Sequence, residues 1–336
     1  MNCASSGGRN GFTIIETMLF LAISGFLFVG ILAGTGSSIA NQRYNDSVEG
    51  VTNELRNQYS FAMDTQVVTR DKSDGTCYGL IRSDIQGGDV AAYFNSVTTP
   101  SLIAGRGRTN CVVYGAVISL NGSKIQSTSL IGRDFATLVT QAKQNNEVIS
   151  ESDTKDDISI LNYVGANNLS IHCSSNTSNG SANATCHIRT AGELRSTTLK
   201  WGARMVNPGK DTDLKKTILI FRSPRDGAIR TFVMDGVIMD TSTNKEVDYT
   251  DINNKNNGLG TNYGQGYTLD ASGVHQYLST GKFTESDVKI CVDSNEAQAY
   301  GGHHRMIKIL KSGHSSSAVE LLDMDNDEGA ECDEKE

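Results

Sequence analysis

The chain has 336 residues, of which 38% are hydrophobic, and a formal net charge of −8 at pH 7. Non-specific binding to nucleic acid depends on Lys and Arg side chains that neutralise phosphates. The acidic balance therefore argues against a general nucleic-acid-binding protein.

An apolar segment with a single carboxylate begins close to the amino terminus. Residues 12–34 read FTIIETMLFLAISGFLFVGILAG, and no charged residue occurs from Thr17 to Gln42. A helix of this length spans roughly the 30 Å of a bilayer's hydrocarbon core. Glu16 is the single ionisable side chain of the segment, and such a group inside a membrane helix indicates a functional role. The sequence predicts a transmembrane helix over 12–34 that carries one functional carboxylate.

The residues before the apolar segment form a short polar leader, MNCASSGGRNG, which ends in Gly11. A secretory signal places its small-residue cleavage site after the apolar region. Here the small residue precedes that region, so the apolar helix would remain after processing. Arg9 favours a cytoplasmic amino terminus, which leaves everything after about residue 40 outside the membrane.

Together these residues resemble the class III signal of type IV pilins and of the pseudopilins of type II secretion systems. The motif is G-F-T-x-x-E followed by an uncharged apolar run, and it covers roughly residues 7–40. The resemblance implies that a prepilin peptidase removes the leader, residues 1–11, by cutting between Gly11 and Phe12, and that it methylates the new amino terminus. It also implies that Glu16, the fifth mature residue, pairs with the amine of Phe12 on a neighbouring subunit during assembly. A competing interpretation is that Glu16 complements the helix dipole.

The helix is expected to continue beyond the membrane. Tyr44, Val48, Val51, Leu55 and Tyr59 recur at spacings of four and three, which is an amphipathic stripe at helical period. A coiled-coil stalk is the alternative, but the stripe is short for one. The sequence predicts a helical segment over 12–64 whose outer half packs on an extracytoplasmic β-rich head, residues 65–336.

The head is rich in Gly, Ser, Asn and Thr and contains short β-type runs. The predicted strands are CVVYGAVISL at 111–120, KIQSTSLI at 124–131, TILIF at 217–221, DVKICV at 287–292, RMIKILK at 305–311 and AVELLD at 318–323. The segment 223–227, SPRDG, predicts a turn after TILIF. RDFATLVTQAKQ, 133–144, is the one short helix expected, and the polar stretches 145–157 and 241–266 are expected to be loops or boundaries. The predicted fold class is α+β and pilin-like: a long membrane-embedded helix packed on a mostly antiparallel sheet, with a head enlarged by insertions.

Cysteine usage indicates disulfides in an oxidising compartment. Of seven cysteines, Cys3 is lost with the leader, and the remaining six allow fifteen connectivities. If each cysteine forms a disulfide with the next one along the chain, the pairs are Cys77 with Cys111, Cys173 with Cys186, and Cys291 with Cys332. The middle pair flanks a low-complexity turn and predicts a hairpin closed at its base. The last pair would tie the tail to the preceding strand, like the carboxy-terminal disulfide loop of many pilins.

The acidic tail has an order similar to that of an EF-hand loop. Asp323, Asp325 and Asp327 alternate and Glu334 is twelfth, but the sixth position is Glu328 instead of the glycine that the sharp turn needs. Some pseudopilins bind calcium near their carboxy termini, so the resemblance leaves a Ca²⁺ site as the alternative to a disordered acidic tail. No other cofactor is expected.

These features predict a structural subunit, a minor pilin or pseudopilin, of a type IV pilus or type II secretion-like filament. An enzyme is not expected, because no nucleophile or acid/base pair is recognisable. The expected partners are other pilins or pseudopilins through the amino-terminal helix, the prepilin peptidase and the membrane assembly platform. The chain is expected to cross the cytoplasmic membrane once, with its head outside, before it enters an extracellular or periplasmic filament. The alternative is a surface adhesin or receptor that is anchored by one helix and does not polymerise.

Overall fold

The fold combines one long helix with antiparallel sheets, and the predicted α+β class is confirmed. The computed structural model describes residues 13–63, 111–146, 148–176, 183–191, 194–240, 245–247, 249, 273–294, 305–311, 315–322 and 332.

The first element is α1, Ile14–Met63, an unbroken helix of 50 residues. Its first half is the apolar run that contains Glu16, and its second half carries the predicted stripe. The stripe residues are at most 6% exposed: Tyr44, Val48, Val51, Leu55 and Tyr59. The long amino-terminal helix is therefore confirmed, and its outer half packs on the head as the spacing predicts.

The strands of the described residues all follow α1 in the chain. In chain order they are β1 Cys111–Asn121, β2 Lys124–Arg133, β3 Leu169–Asn176, β4 Asn183–Thr190, β5 Arg195–Thr198, β6 Ala203–Val206, β7 Lys215–Arg222, β8 Ile229–Asp235, β9 Met239–Asp240, β10 Lys245–Glu246, β11 Thr284–Glu285, β12 Val288–Ser294, β13 Arg305–Ile309 and β14 Val319–Leu322. All six strand predictions are confirmed, as is the turn between β7 and β8, where the Ser223 N–H donates to the Ala228 carbonyl at 2.7 Å.

The strands form two main sheets, and every recorded pairing in them is antiparallel. The larger sheet has the order β11-β8-β7-β1-β2-β5, and the smaller has the order β14-β13-β12-β6. Two further pairs, β3-β4 and β9-β10, are separate. In the first of these pairs Cys173 lies directly opposite Cys186, so the predicted hairpin is confirmed in its backbone register.

The head contains more short helices than the sequence predicted. The predicted one is α2, Phe135–Gln144, and α3 Glu151–Thr154, α4 Asp157–Tyr163 and α5 His275–Ser279 are additional. The stretch 145–157, expected to be a loop or boundary, is not irregular throughout, because the four-residue helix α3 lies within it. Asp156 caps α4 by accepting the Ser159 N–H at 2.7 Å. Of the stretch 241–266, only 245–247 and 249 are described.

Apolar side chains form a core on each face of the larger sheet. On one face, the stripe of α1 packs against inward side chains of both sheets, among them Ile118, Ile220 and Val292. On the other face, Leu219 and Phe221 of β7 pack against α4 and α5. Because α1 shares a core with both sheets, its outer half is an integral part of the head.

A disulfide joins Cys291 of β12 to Cys332, the predicted carboxy-terminal pair, with the two Cα atoms 5.6 Å apart. Both residues are buried, together with Val206 and Met306, on the side of the smaller sheet opposite α1. Cys77 lies outside the described residues, and Cys111 is described only as the first residue of β1. The disulfide connects the end of the chain to a central strand.

Removing this disulfide is expected to lower the free energy of unfolding by about 3–4 kcal/mol, because the bond closes a long loop in the unfolded chain. The separation of the two cysteines is 41 residues. The double variant Cys291→Ala with Cys332→Ala is compared with the parent chain by denaturant unfolding in detergent. Equal midpoints for the two proteins would contradict a stabilising role for the bond.

Candidate functional site

Glu16 lies in the first turn of α1 and forms a capping box with Thr13. The Thr13 N–H donates to Glu16 Oε2 at 2.9 Å, and the Thr13 hydroxyl donates to the same oxygen at 3.0 Å. The Glu16 N–H donates in return to Thr13 Oγ1 at 3.3 Å. This arrangement satisfies N–H groups that the start of a helix leaves unpaired. In the single chain, Glu16 therefore has a local role at the helix terminus.

The Glu16 carboxylate keeps capacity for a further donor. Both bonds from Thr13 reach Oε2, and within the described part of the chain no hydrogen bond to Oε1 is recorded. The side chain is also exposed. A carboxylate offers about four acceptor positions, so a cation from another chain can pair with Glu16 without displacing the cap. Gly11 and Phe12, the predicted processing site, lie outside the described residues.

The inner half of α1 exposes a continuous apolar surface. Its large apolar side chains are between 49% and 83% exposed: Ile14, Ile15, Met18, Leu19, Phe20, Leu21, Ile23, Phe26, Leu27, Phe28, Val29, Ile31, Leu32 and Ile39. By length and composition this helix can cross a membrane. A Cβ atom added at Gly25, Gly30 or Gly34 would meet nothing within 4 Å in this chain. Exposed apolar patches of this size are rare on soluble monomers and mark surfaces that contact a membrane or another protein.

The outer half of α1 is fixed to the head by buried tyrosines. The Tyr44 hydroxyl donates to the Val292 carbonyl at 2.8 Å and accepts the Arg305 N–H at 2.6 Å. The Tyr59 hydroxyl lies 2.5 Å from Thr231 Oγ1 on β8. Burial raises the pKa of Tyr59 to about 12, so this hydroxyl stays neutral near pH 7. These bonds hold the head at one position along the helix.

The only tryptophan of the chain lies in the turn that leads from β5 to β6. The Ala203 N–H donates to the Lys200 carbonyl at 3.2 Å, and φ is +61° at Trp201 and +68° at Gly202. The buried Ser47 hydroxyl donates to the same Lys200 carbonyl at 3.1 Å, which attaches the turn to α1. Positive φ at both central residues is typical of a type I′ turn.

Trp201 is an unusual residue for this position in a turn. Type I′ turns favour Asn, Asp or Gly, and an L residue in the left-handed region costs about 1–2 kcal/mol. The indole is 46% exposed, and the guanidinium carbon of Arg43 lies 4.4 Å from its ring centroid. No sequence pattern predicted this feature. The Trp-Gly pair between two β-type runs was the available signal for a turn, but it does not reveal the stacking on Arg43.

Arg204 is the centre of an ion-pair cluster on the smaller sheet. Its guanidinium donates to Asp293 Oδ2 at 2.9 and 3.1 Å and to Asp213 Oδ1 at 3.4 Å, and it also contacts Asp211. The Asp293 side chain is only 3% exposed. A buried carboxylate needs such a partner to remain charged, so the cluster has a structural explanation.

A second ion-pair cluster surrounds Asp157 at the start of α4. This carboxylate accepts the Ser223 hydroxyl at 2.6 Å and pairs with Arg230, which also donates to Asp226 at 2.7 Å. Beside it lies a cleft of about 590 Å³ that Arg225, Arg230 and Phe232 help to line. The Ser223 hydroxyl and the Arg230 guanidinium are thus both bonded to the Asp157 carboxylate.

No group of His, Cys, Asp and Glu that could hold a metal ion occurs among the described residues. The proposed calcium ligands Asp323, Asp325, Asp327 and Glu334 all lie outside them. The described features open to a partner include the inner half of α1 with Glu16, the cleft beside Asp157 and the turn at Trp201. Comparisons of the chain with protein-family models, with curated proteins and with solved structures found no match.

Proposed function

We propose that the chain is a structural subunit, a minor pilin or pseudopilin, of a type IV pilus or type II secretion-like filament. One observation carries the proposal: α1 is a single helix whose inner half is exposed and apolar while its outer half belongs to the core of the head. Such a helix can lie in a bilayer and then among identical helices without any change in the head. The inner half exchanges lipid for neighbouring helices, while the buried stripe remains in place.

Glu16 would determine how far each incoming helix is shifted along its neighbours when the inner half of α1 leaves the lipid. A carboxylate in hydrocarbon is costly unless it is paired. The amine of Phe12, freed when the leader is cut after Gly11, is a partner that every incoming chain supplies. Oε1 of Glu16 is available to that amine while Oε2 remains bonded to Thr13. Assembly of each subunit would then pair one amine with one carboxylate already in the filament.

The expected result of processing is a chain that begins at Phe12 and is heavier by one methyl group. The test is intact mass and amino-terminal sequencing of the protein from membranes that contain its own prepilin peptidase. The matched control is Gly11→Val, which is expected to retain Met1 and the leader because the peptidase needs a small residue at the cut. A wild-type chain that retains Met1 would contradict the proposal and favour an anchored receptor that does not polymerise.

A further inference from the structure

The turn at Trp201 lies close to the level at which α1 leaves the membrane. Ile39 is the last exposed large apolar side chain of the inner half, and Ile14 to Ile39 spans about 37 Å at the rise of an α-helix. That length exceeds the roughly 30 Å hydrocarbon core and approaches the roughly 40–45 Å of a bilayer with its headgroups. Arg43 follows about 6 Å further along the helix. Because the Trp201 ring is stacked on Arg43, both side chains lie near the outer headgroup layer.

The chemistry of these side chains matches a membrane interface. Tryptophan is enriched at headgroup level because its ring is apolar and its N–H is polar, and Arg and Lys accompany it there. Lys200 is exposed directly beside Trp201, and Arg43 is the first charged residue after Glu16. The net charge of the chain is −8, but charges beyond about 10 Å are screened at physiological salt. Arg43 and Lys200 supply two cations at this point, and the carboxylates of Asp46 and Glu49 follow within two turns of α1.

The strained backbone at Trp201 indicates a role other than packing. The ring is about half exposed, and the left-handed conformation suits Asn or Gly better than a bulky residue. Strained residues of this kind concentrate at functional sites, where the surrounding structure holds them in place. Here the Lys200 carbonyl accepts hydrogen bonds from the Ala203 N–H, which closes the turn, and from the Ser47 hydroxyl, which attaches the turn to α1.

We propose that the turn Lys200–Ala203 and Arg43 form a phospholipid-contacting site at the base of the head. The Trp201 ring enters the interfacial layer, and Arg43 and Lys200 bind lipid phosphates. This contact sets the height and orientation of the head on the membrane before the chain enters a filament. It rests on the proposed function in one respect, since it requires that α1 span a bilayer.

The test uses the full chain in vesicles of phosphatidylcholine, with and without one part in three of phosphatidylglycerol. Trp201 is the only tryptophan, so all indole emission comes from this turn. A quencher attached to the lipid at the boundary between headgroup and acyl chain is expected to reduce that emission. The reduction is expected to be larger in vesicles with the anionic lipid and smaller at high salt.

The variants remove the two cations and leave the probe in place. Each Lys or Arg near an anionic membrane strengthens the binding of that protein segment to the membrane by about fivefold. The double variant Arg43→Gln with Lys200→Gln is therefore expected to lose the additional quenching that the anionic lipid produces in the parent chain. Arg225→Gln is the matched control, because Arg225 is exposed and lies in the turn before β8. That strand contacts α1 at Tyr59, about 18 Å further from the membrane than Ser47.

The outcomes separate this inference from the proposed function. If the chain is anchored in the vesicles but the lipid-attached quencher does not reduce Trp201 emission, the lipid contact is overturned. The filament proposal is then unaffected. A chain that alkaline carbonate removes from the vesicles overturns both. Shielding of Trp201 that occurs only in assembled filaments assigns the surface to a neighbouring subunit and also overturns the lipid contact.

A stability measurement separates this role from a structural one. Trp201→Asn is expected to unfold at the same or a higher denaturant concentration than the parent, since it relieves the strained turn. A marked fall in that midpoint would assign Trp201 a structural role in the turn and overturn the inference from strain.

Discussion

The variant Glu16→Gln is expected to be excluded from filaments as completely as Glu16→Ala. Glutamine keeps an oxygen that accepts the Thr13 bonds, so the capping box survives. It has no charge, however, to pair with the amine of Phe12 on the next chain. Breaking a buried ion pair costs about 3–5 kcal/mol, which corresponds to at least a hundredfold loss of incorporation. The measurement is the fraction of the variant in sheared filaments, relative to the amount in membranes.

The matched control for this experiment is Thr13→Ala. This change removes the hydroxyl that bonds to Glu16 Oε2 but keeps the Thr13 backbone donor and the carboxylate. Loss of a cap costs about 1 kcal/mol, so Thr13→Ala is expected to enter filaments at close to the normal level. The two interpretations of Glu16 predict opposite orders. If Glu16→Gln assembled normally while Thr13→Ala failed, Glu16 would be a helix cap and the pairing proposal would be wrong.

The geometry at the start of α1 is compatible with both the observed cap and the proposed pairing of Glu16. The cap uses Oε2 and points toward the start of its own helix, whereas the pairing uses an oxygen that remains exposed. If the chain spans a membrane as proposed, the cap would partly compensate the charge of Glu16 before assembly. Under the proposed function, the amine of a neighbouring chain would then add a full ion pair at this one site.

Most elements of the fold follow from local sequence patterns. The spacing of Val48, Val51 and Leu55 predicts the buried face of α1, and continuous β-type runs predict β1 and β7. The order of the sheet does not follow, because β1 pairs with β7 about a hundred residues later in the chain. The helices α3 and α4 were missed because they are only four and seven residues long. Such short helices depend on caps and on tertiary packing more than on periodicity.

The residues of the candidate site also differ in whether local sequence reveals them. Glu16 is visible in the sequence because it is a lone carboxylate in an apolar run, and that property is local. Trp201 is not visible, since its significance depends on a positive φ and on contact with Arg43, more than a hundred residues earlier in the chain. A pattern search detects residues that are unusual in their own segment. It does not detect residues that become unusual only when distant segments meet.

Gly115→Ala is expected to lower the free energy of unfolding by at least about 3 kcal/mol, which is near the upper end for added atoms in a packed interior. Gly115 lies at the register irregularity of β1 and faces Phe221 of β7. A Cβ atom there would be 2.6 Å from the Phe221 Cα and would overlap the Ile220 carbonyl oxygen. Both obstacles are backbone atoms of the neighbouring strand, so no side-chain rotation relieves them. The two central strands would have to separate.

Gly50→Ala is the matched control, because it makes the same chemical change where space is open. Gly50 lies within α1, and an added Cβ meets nothing within 4 Å. Alanine favours a helix over glycine by about 1 kcal/mol, so this variant is expected to be as stable as the parent or more stable. Denaturant unfolding of both variants in detergent makes the comparison. Similar stabilities for the two variants would mean that β7 does not lie close enough to Gly115 to exclude a Cβ atom. The pairing of β1 with β7, which supports the outer half of α1, would then need a different register.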